Sequence, residues 1–520
     1  MEIRTTDVLV IGAGCAALRA AIEVAERGLE TTIVSKGLPG FANCTYHSGG
    51  VLNAPRGREA VEAHLRLTLR VGRGLNNRAL VRRMVEDAFF RVSELESFGA
   101  KLEFRRERAY VLGQGPELSR ALLSTAQRLG VKLVGRVMAV SLLVDGRAAL
   151  GALCYDYGRA GFVAFFARAT ILATGGAGAI YRRSTNPLHM TGDGYAMAFR
   201  AGLKLRDMEF VQFYPLCPSE LDLPTRTIPP GFAEVGRLTN SSGEDLPAKH
   251  GLVDRPLAVR SRDLLSRALF RELMAGEKPI LDLRGVPDGR LRANPFMEGF
   301  LRHLGSRRII YVEPACHHFM GGILVDERCH TGLEGLLACG EVVGGIHGAN
   351  RLGGNALTDC LVFGAIAGAQ AVEHARGAEL VADERLAREE LDRVGQWVEE
   401  APARTGEPGQ VMGAVRELMW EHVGIIRNRE GLESALEELL GLTEEHTPLR
   451  ARPGRELMEA LEAQNALLVA RLVAYPALLR EESRGAHYRS DHPEPDDRWL
   501  KSVVLERAGE EGLRASLIVP

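Results

Sequence analysis

A glycine-rich turn near the start of the chain constrains the fold more than any other feature. Residues 12–17 (G-A-G-C-A-A) lie between an apolar stretch at 7–11 and a run with helical spacing at 18–27, and a second apolar stretch follows at 31–34. This order of strand, turn, helix and strand is the dinucleotide-binding fingerprint, with Ala17 at the third glycine position. The first two glycines allow a tight turn and the approach of a pyrophosphate to the helix N-terminus. We therefore predict a Rossmann-like α/β domain.

The end of the second predicted strand bears on which dinucleotide is bound. In NAD-binding domains an acidic residue usually stands there to hold the ribose. This chain has Ser35 and Lys36 instead. The sequence thus disfavours NAD and leaves FAD open.

Two further glycine segments agree with a dinucleotide site. Residues 173–178 (A-T-G-G-A-G) follow an apolar stretch at 169–172, and residues 191–194 (T-G-D-G) precede a predicted helix at 195–201. Either segment alone is compatible with an ordinary turn. Together with the first turn they form an ordered set, which indicates a cofactor site built from several loops.

The loop at residues 340–357 (G-E-V-V-G-G-I-H-G-A-N-R-L-G-G-N-A-L) predicts where a substrate binds. Dense glycines let the backbone approach a flat or phosphorylated ligand. Arg351 offers a planar fork of donors that suits a carboxylate, and His347 lies nearby. The loop can thus hold a cofactor on one side and an acid on the other; the alternative is a flexible loop with a surface arginine.

Composition narrows the class of protein. The 520 residues have a net charge of -2, which gives no reason to expect nucleic acid or an anionic membrane surface as a partner. None of the eight cysteines forms a C-x-x-C pair, so no metal or cluster site is expected. No stretch reaches the roughly 18 uncharged apolar residues of a membrane helix; residues 466–479 come nearest, and Arg471 interrupts them. We expect a cytoplasmic protein, either on its own or as a part of a complex that is peripheral to a membrane.

The motifs resemble those of a known family along nearly the whole chain. Besides the segments above, the carriers are Gly49-Gly50, E-F-V-Q-F, S-R-D-L-L-S-R, L-D-L-R, H-H-F-M-G-G-I and the late E-S-R-G-A-H-Y-R-S-D. They resemble the flavoprotein subunits of succinate dehydrogenase and fumarate reductase, and also L-aspartate oxidase. The resemblance implies FAD as cofactor. It also implies hydride transfer between flavin N5 and a carbon–carbon bond next to a carboxylate.

The resemblance also implies an arrangement of domains. The fold class is α/β: a Rossmann-like FAD-binding domain (1–215 and 323–380) interrupted by an α+β capping domain (216–322). A C-terminal helical domain (381–480) and a tail (481–520) follow. Helical spacing of apolar residues predicts helices over 261–275, 385–398, 409–427, 430–440 and 457–473.

Residues that match the family's flavin-contacting motifs are expected to bind the cofactor. They are Gly12, Gly14, Cys15, Ala16, Ala17, Ser35, Lys36, Asn43, Thr45, Gly49, Gly50, Ala173, Thr174, Gly175, Thr191, Asp193, Glu341, Asn355 and Leu357.

Three residues match the family's catalytic positions. Arg351 matches the arginine that clamps a substrate carboxylate, and His317 matches a histidine that binds the same region, with His318 as the alternative if the register slips. Arg262 matches the arginine proposed to shuttle the proton. The alternative for Arg262 is a helix arginine that faces solvent. A guanidinium is a poor acid, so this role requires dry surroundings and a relay.

Two departures from the family concern the rest of the substrate site. The family's histidine and threonine that hold a second carboxylate are replaced by Tyr214 and Leu216. Without a gap, the relay glutamate and arginine fall on Pro229 and Phe232 and the relay is lost; with a short deletion, Glu234 and Arg237 keep the required spacing and replace it. We favour the ungapped alignment. We hypothesise a substrate with one carboxylate and a less polar remainder, held by Tyr214, Leu216, Phe232, His317, His318 and Arg351. Fumarate or succinate remains the alternative.

A third departure concerns the flavin linkage. Respiratory members of the family attach the flavin covalently to a histidine, and that position is Asn43 here. His47 lies four residues later and is the alternative attachment point. We predict non-covalent FAD.

The chain has no second redox centre of its own, so electrons are exchanged with an iron–sulfur subunit, a diffusible donor or oxygen. The resemblance implies an iron–sulfur electron-transfer subunit as the expected partner. Met419-Trp420 and residues 483–487 resemble family segments that dock one. Two alternatives are an L-aspartate-oxidase-like enzyme that works without such a partner, and a non-catalytic electron-transfer flavoprotein. Retention of Arg262, His317 and Arg351 argues against the latter.

Overall fold

The computed structural model describes residues 1–41, 43–220, 227–509 and 512–520, and for His303 the backbone alone. The strands within these residues are β1 (Glu2–Ile11), β2 (Thr31–Ser35), β3 (Val51–Asn53), β4 (Leu102–Arg105), β5 (Arg108–Val111), β6 (Lys132–Gly135), β7 (Val137–Asp145), β8 (Ala148–Asp156), β9 (Gly161–Leu172), β10 (Leu205–Arg206), β11 (Val211–Pro218), β12 (Arg237–Thr239), β13 (Ile280–Asp282), β14 (Ile309–Phe319), β15 (Gly322–Ile323), β16 (Leu336–Ala338), β17 (Val398–Glu400), β18 (Leu449–Ala451), β19 (Ser502–Ala508) and β20 (Gly512–Ile518). The α-helices there are α1 (Cys15–Ala25), α2 (Arg58–Val71), α3 (Arg78–Ser97), α4 (Gln114–Arg128), α5 (Asp193–Arg200), α6 (Phe232–Val235), α7 (Leu246–Lys249), α8 (Leu257–Arg260), α9 (Arg262–Met274), α10 (Asp288–Leu291), α11 (Pro295–Leu304), α12 (Asn355–Gly377), α13 (Glu384–Val394), α14 (Glu407–Glu421), α15 (Arg429–Glu445) and α16 (Arg455–Leu479).

A seven-stranded sheet forms the centre of the N-terminal part. Its order is β6-β2-β1-β9-β8-β7, and β16 also pairs with β9. β1 is parallel to β2 and to β9, so the carboxyl ends of these strands meet at one edge. β1 begins at Glu2 rather than at residue 7, because its pairing with the long β9 continues to Val163. Most residues at the start of β1 are polar, so the apolar pattern did not predict that the strand extends to Glu2.

Helices α1 and α12 pack against each other beside this sheet. Nearly all of α1 is buried, which its small alanines permit. By length and composition α12 is long and apolar enough to cross a membrane, with a mean hydropathy of 1.3, although 72% of that window is buried in the protein. The expectation that residues 466–479 come nearest to a membrane helix is therefore wrong, because the uncharged run between Asp359 and Glu373 in α12 is longer. Its packing on α1 makes α12 a core helix.

The segment inserted into the first domain has its own sheet and core. The sheet order is β11-β14-β13-β12, with antiparallel pairs. A separate hydrophobic cluster is formed by residues between Tyr214 and Ala315. The ring of Phe296, in α11, packs on Gly49 so closely that a Cβ there would lie 2.7 Å from it. The capping segment thus contacts the first domain at Gly49, a predicted flavin-binding residue. The bounds of the capping domain at residues 216 and 322 stay a prediction.

The C-terminal part contains α13 to α16, close to the predicted helices. The predicted helix at 385–398 ends at Val394, and residues from Val398 form β17, which pairs with β18. The tail contains two strands that the sequence analysis did not predict, β19, which pairs with β10, and β20, which pairs with β19. The fully buried ion pair of Arg480 with Glu209, at 2.7 Å, also joins this part to the first domain.

Candidate active site

A cavity of about 470 Å³ opens at the carboxyl ends of β1 and β9, within the usual range for ligand sites. It is lined by most of the predicted cofactor residues, namely Gly12, Gly14, Cys15, Ala16, Ser35, Lys36, Asn43, Thr45, Gly49, Gly50, Ala173, Thr174, Gly175, Thr191, Asp193, Glu341 and Leu357. Ala17 and Asn355 do not line it. Ala17 is fully buried in the core, and the amide of Asn355 bonds to Asn53, His64 and Thr68.

The glycine turn before α1 fits the pyrophosphate of a dinucleotide. Gly12 has φ +119°, and a Cβ there would lie 2.2 Å from the carbonyl oxygen of Ala173. No side chain caps α1, and its first residues Cys15 and Ala16 line the cavity; the N–H of Cys15 donates to Thr45 Oγ1 at 2.9 Å. Free N–H groups and the helix dipole favour a phosphate here. These residues therefore fit FAD.

Lys36, which replaces the acid of NAD-binding domains, is neutralised within the protein. Its Nζ lies 2.6 Å from Asp193 Oδ2 and 2.6 Å from Glu462 Oε1, a residue of α16. Asp193 also accepts hydrogen bonds from Thr191 and Asn465. The C-terminal helical part thus closes this end of the cavity, which the sequence did not indicate.

Asn43 is held by hydrogen bonds on both sides of its amide. It donates to the carbonyl of Ala13 at 3.1 Å and accepts from the N–H of Tyr46 at 2.9 Å. His47 also lines the cavity and is exposed. The amide is not a nucleophile, so Asn43 is not an attachment point; the non-covalent linkage of the flavin stays a prediction.

Arg262 and Arg351 are buried beside the cavity, with 4% and 5% of their surface exposed. Arg262 donates to Gln212 Oε1 at 2.8 Å and to the Ala258 carbonyl at 3.1 Å. Arg351 Nε has no hydrogen-bond partner in the part of the chain that the structure describes. Burial, reinforced by the charge of Arg262, lowers the pKa of Arg351 to about 9. It remains a cation at neutral pH and forms no ion pair with a carboxylate among the described residues, although the charges of Glu341 and Asp359 act on it.

Both histidines of the H-H-F-M-G-G segment line the cavity. His317 Nδ1 is 2.9 Å from Thr185 Oγ1, and its ring centre is 5.2 Å from that of Tyr214. His318 Nδ1 is 3.4 Å from Glu341 Oε2. Burial, and secondarily the charge of Arg351, holds the pKa of both imidazoles well below the usual range. Both are neutral near pH 7, and the geometry leaves either as the substrate ligand.

Of the three residues predicted to hold the second end of the substrate, only one lines the cavity. Tyr214 lines the cavity, but its hydroxyl donates to the Ile228 carbonyl at 2.5 Å. Leu216 and Phe232 do not line the cavity, because both are fully buried in the core of the cap. The hypothesis that these two side chains contact substrate therefore lacks support from their location.

Neither set of aligned positions forms the family's proton relay in the structure. Pro229 lines the cavity but carries no titratable group, and its proposed partner Phe232 is in the cap core. Glu234 lines the cavity, yet its carboxylate accepts from the N–H of Leu257 and pairs with Arg255. The spacing of Glu234 and Arg237 matched the family, but Glu234 lies in helix α6 whereas Arg237 begins β12 and is exposed.

Several residues of the site were missed by the sequence analysis. Gln212 accepts from Arg262, Thr185 contacts His317, and Arg108 lines the cavity from β5. Gln212 begins the segment Q-F-Y-P-L at residues 212–216, in which Tyr214 and Leu216 depart from the family. Arg108 belongs to no motif, so only its place in the fold reveals it. Among the described residues, no group of three or more His, Cys, Asp or Glu is arranged to hold a metal ion.

Comparison with known proteins gives matches along nearly the whole chain. Residues 7–111 and 104–357 match an FAD binding domain model, and residues 413–516 match a model for the fumarate reductase flavoprotein C-terminus. One subunit of the fumarate reductase (CoM/CoB) of Methanothermobacter marburgensis is 36% identical, over 98% of each chain. An L-aspartate oxidase of Saccharolobus solfataricus is 31% identical, over 94% of this chain and 96% of its own. A solved E. coli quinol fumarate reductase chain superposes with a TM-score of 0.89 and 28% identity, over 100% of this chain and 97% of its own.

Proposed function

The chain belongs to the fumarate reductase and succinate dehydrogenase flavoprotein family, and we propose that Arg351 anchors its substrate by a carboxylate. The protein is an FAD-dependent oxidoreductase that acts on carbon–carbon bonds. The observation that carries the proposal is the buried guanidinium of Arg351, whose Nε is unpartnered among the described residues. A buried charge without a counter-ion is costly, and a substrate carboxylate would supply the missing partner.

In this proposal each side chain has a defined task. FAD, when bound, supplies a hydride donor and acceptor at N5 of its ring. Arg351 binds the substrate carboxylate and, with Arg262, stabilises negative charge that develops on it. His317 is held at Nδ1 by Thr185, which leaves Nε2 for the substrate.

We assign the proton transfer to Arg262. Gln212 and the Ala258 carbonyl bind its Nη1 and Nε, and Nη2 lies 3.1 Å from the position of a Cβ on Gly353. Nη2 is therefore directed to the glycine loop. Burial lowers the pKa of Arg262, which makes proton donation less unfavourable than from a solvated guanidinium.

The substrate is proposed to be a short acid of the fumarate or succinate type. The names of the relatives support this class. The sequence-based preference for a monoacid rested partly on Leu216 and Phe232, which lie in the cap core. Fumarate is therefore the first substrate to test and a monocarboxylic enoate the second.

We also propose that an iron–sulfur subunit exchanges electrons with this chain. The relative from M. marburgensis is named as one subunit of its enzyme. Among the described residues, no group of three or more His, Cys, Asp or Glu is arranged to hold a metal ion; the proposal places the next electron carrier on another molecule. The predicted cytoplasmic, peripheral location stays a prediction.

The test is reoxidation of the photoreduced flavoprotein without oxygen, followed by flavin absorbance. Fumarate is expected to reoxidise the flavin, and Arg351→Met to slow this by roughly a hundredfold or more, because a buried charged contact is lost. The matched control is Arg66→Met, at an exposed arginine outside the cavity. An equal rate for Arg351→Met and its control would contradict the proposal. Turnover of L-aspartate with oxygen, in place of enoate reduction, would favour the L-aspartate-oxidase-like alternative.

A further inference from the structure

Arg108 occupies a defined place beside the glycine-rich loop at residues 340–357. In the antiparallel pair of β3 and β5 it lies directly opposite Asn53. Residues opposite each other in such a pair project from the same face of the sheet. The Asn53 amide donates to the Gly353 carbonyl at 3.0 Å, so this face carries the loop that follows Arg351.

Three guanidinium groups therefore surround one short loop. Arg351 precedes the loop, Arg262 Nη2 approaches Gly353, and Arg108 is on the strand beside Asn53. The positive charge of Arg108 also acts on Arg262. Burial is the main cause of the lowered pKa of Arg262, and the charge of Arg108 lowers this pKa further. Because Arg108 is paired with Asn53, which bonds to the loop after Arg351, and its charge reaches Arg262, we place it at the substrate end of the cavity.

Arg108 has no anionic partner within the described ranges. It is half-buried and lines the cavity, and its side chain makes no hydrogen bond or ion pair with the described residues. The carboxylates that line the cavity are engaged elsewhere: Asp193 with Lys36, Glu341 with the Phe319 N–H, and Glu234 with Arg255. By contrast Arg105, in the same hairpin, is bound to Glu103 and to the Ala293 carbonyl.

We infer that Arg108 binds a second anionic group of the substrate and selects diacids over monoacids. The inference rests on the proposed function, in which Arg351 holds the first carboxylate and Arg262 donates the proton. It assigns to β5 the task that Tyr214 cannot perform, because the Tyr214 hydroxyl is bound to Ile228. Arg108 is then a specificity-determining residue, and the distal end of the site is cationic rather than apolar.

The test compares fumarate with crotonate, in which a methyl group replaces one carboxylate. Wild-type protein is expected to prefer fumarate. Arg108→Met should raise the KM for fumarate by about tenfold or more and leave crotonate unchanged, as expected for loss of one charge-assisted hydrogen bond. Arg108→Lys should restore part of the preference, because it keeps the charge. The matched control is Arg106→Met, at an exposed arginine of the same turn.

Flavin content and melting temperature show whether a variant is folded. If Arg108→Met is misfolded, the kinetics of Arg108→Lys are compared with those of wild-type protein instead. The inference is overturned if Arg108→Met leaves fumarate kinetics unchanged, if it slows both acids equally, or if wild-type protein prefers crotonate. Each of these results leaves the proposed function standing as long as Arg351→Met abolishes turnover of both acids. If Arg351→Met leaves both acids unaffected, the proposed function itself fails.

Discussion

Gln212 connects Arg262 to the backbone of Arg351. Its side-chain oxygen accepts from Arg262 Nη1 at 2.8 Å, and its amide nitrogen donates to the Arg351 carbonyl at 3.1 Å and to Asn350 Oδ1 at 2.9 Å. Gln212 is buried on β11. A single side chain thus fixes the proposed proton donor relative to the proposed carboxylate clamp.

Replacement of Gln212 should therefore impair turnover without removing the flavin. Gln212→Met is expected to lower kcat/KM by roughly tenfold to a hundredfold, because misplacement of a catalytic group by about 1 Å has effects of this size. Gln212→Glu should recover part of the activity, since it keeps an acceptor for Arg262. The measurements are steady-state kinetics and flavin content. Equal kinetics of Gln212→Met and of the exposed-site control Gln410→Met would refute the positioning role.

Gly12 should be essential for binding the cofactor. A Cβ at this position would lie 2.2 Å from the Ala173 carbonyl oxygen in a backbone with positive φ, so Gly12→Ala has to displace the loop beside the dinucleotide. We expect purified Gly12→Ala protein to lack most of its FAD. Gly28→Ala is the control: its φ is +81° with nothing near the added Cβ, so it should cost about 1–2 kcal/mol in unfolding free energy and retain FAD. Full FAD content in Gly12→Ala would count against the pyrophosphate assignment.

The flavin should be released by acid. Asn43 stands where the respiratory relatives carry their attachment histidine, and both sides of its amide are hydrogen-bonded. Acid precipitation is expected to leave the flavin in the supernatant, for wild-type protein and for His47→Ala alike. A yellow pellet from wild-type protein that becomes colourless in His47→Ala would identify His47 as the attachment point instead.

Much of the fold was predictable because the buried strands and the glycine turns of a dinucleotide site are local in sequence. Most of the predicted cofactor residues line one cavity, as do Arg262, His317 and Arg351. What failed depended on distant pairing. The first residues of β1 are polar, and their strand is formed by β9; β19 needs β10 as a partner.

The substrate end was harder to predict for the same reason. Leu216 and Phe232 were assigned to it from their alignment with the family, but the cap turns both side chains into its own core. Arg108 has no motif, and its position depends on the pairing of β5 with β3. A residue that enters a site through tertiary packing leaves no local pattern in the sequence.

Glu341 should make the stability of the protein depend on pH near neutrality. Burial, opposed by the Phe319 N–H and by the charge of Arg351, raises its pKa to about 7 from 4.5. The folded protein then binds more protons than the unfolded chain between these values, so this group's contribution to the unfolding free energy is full below pH 4.5 and is lost as the pH rises through about 7. The shift corresponds to about 3 kcal/mol.

Glu341→Gln removes this ionisation while it keeps an oxygen that can accept from Phe319. The melting temperature of the variant, relative to wild type, should rise as the pH increases through the window and stay constant above it. Glu437→Gln, at an exposed carboxylate outside the cavity, is the control and should show no such trend. Because His318 and Arg351 face Glu341, a pH trend that persists unchanged in Glu341→Gln would assign the titration to these neighbours instead.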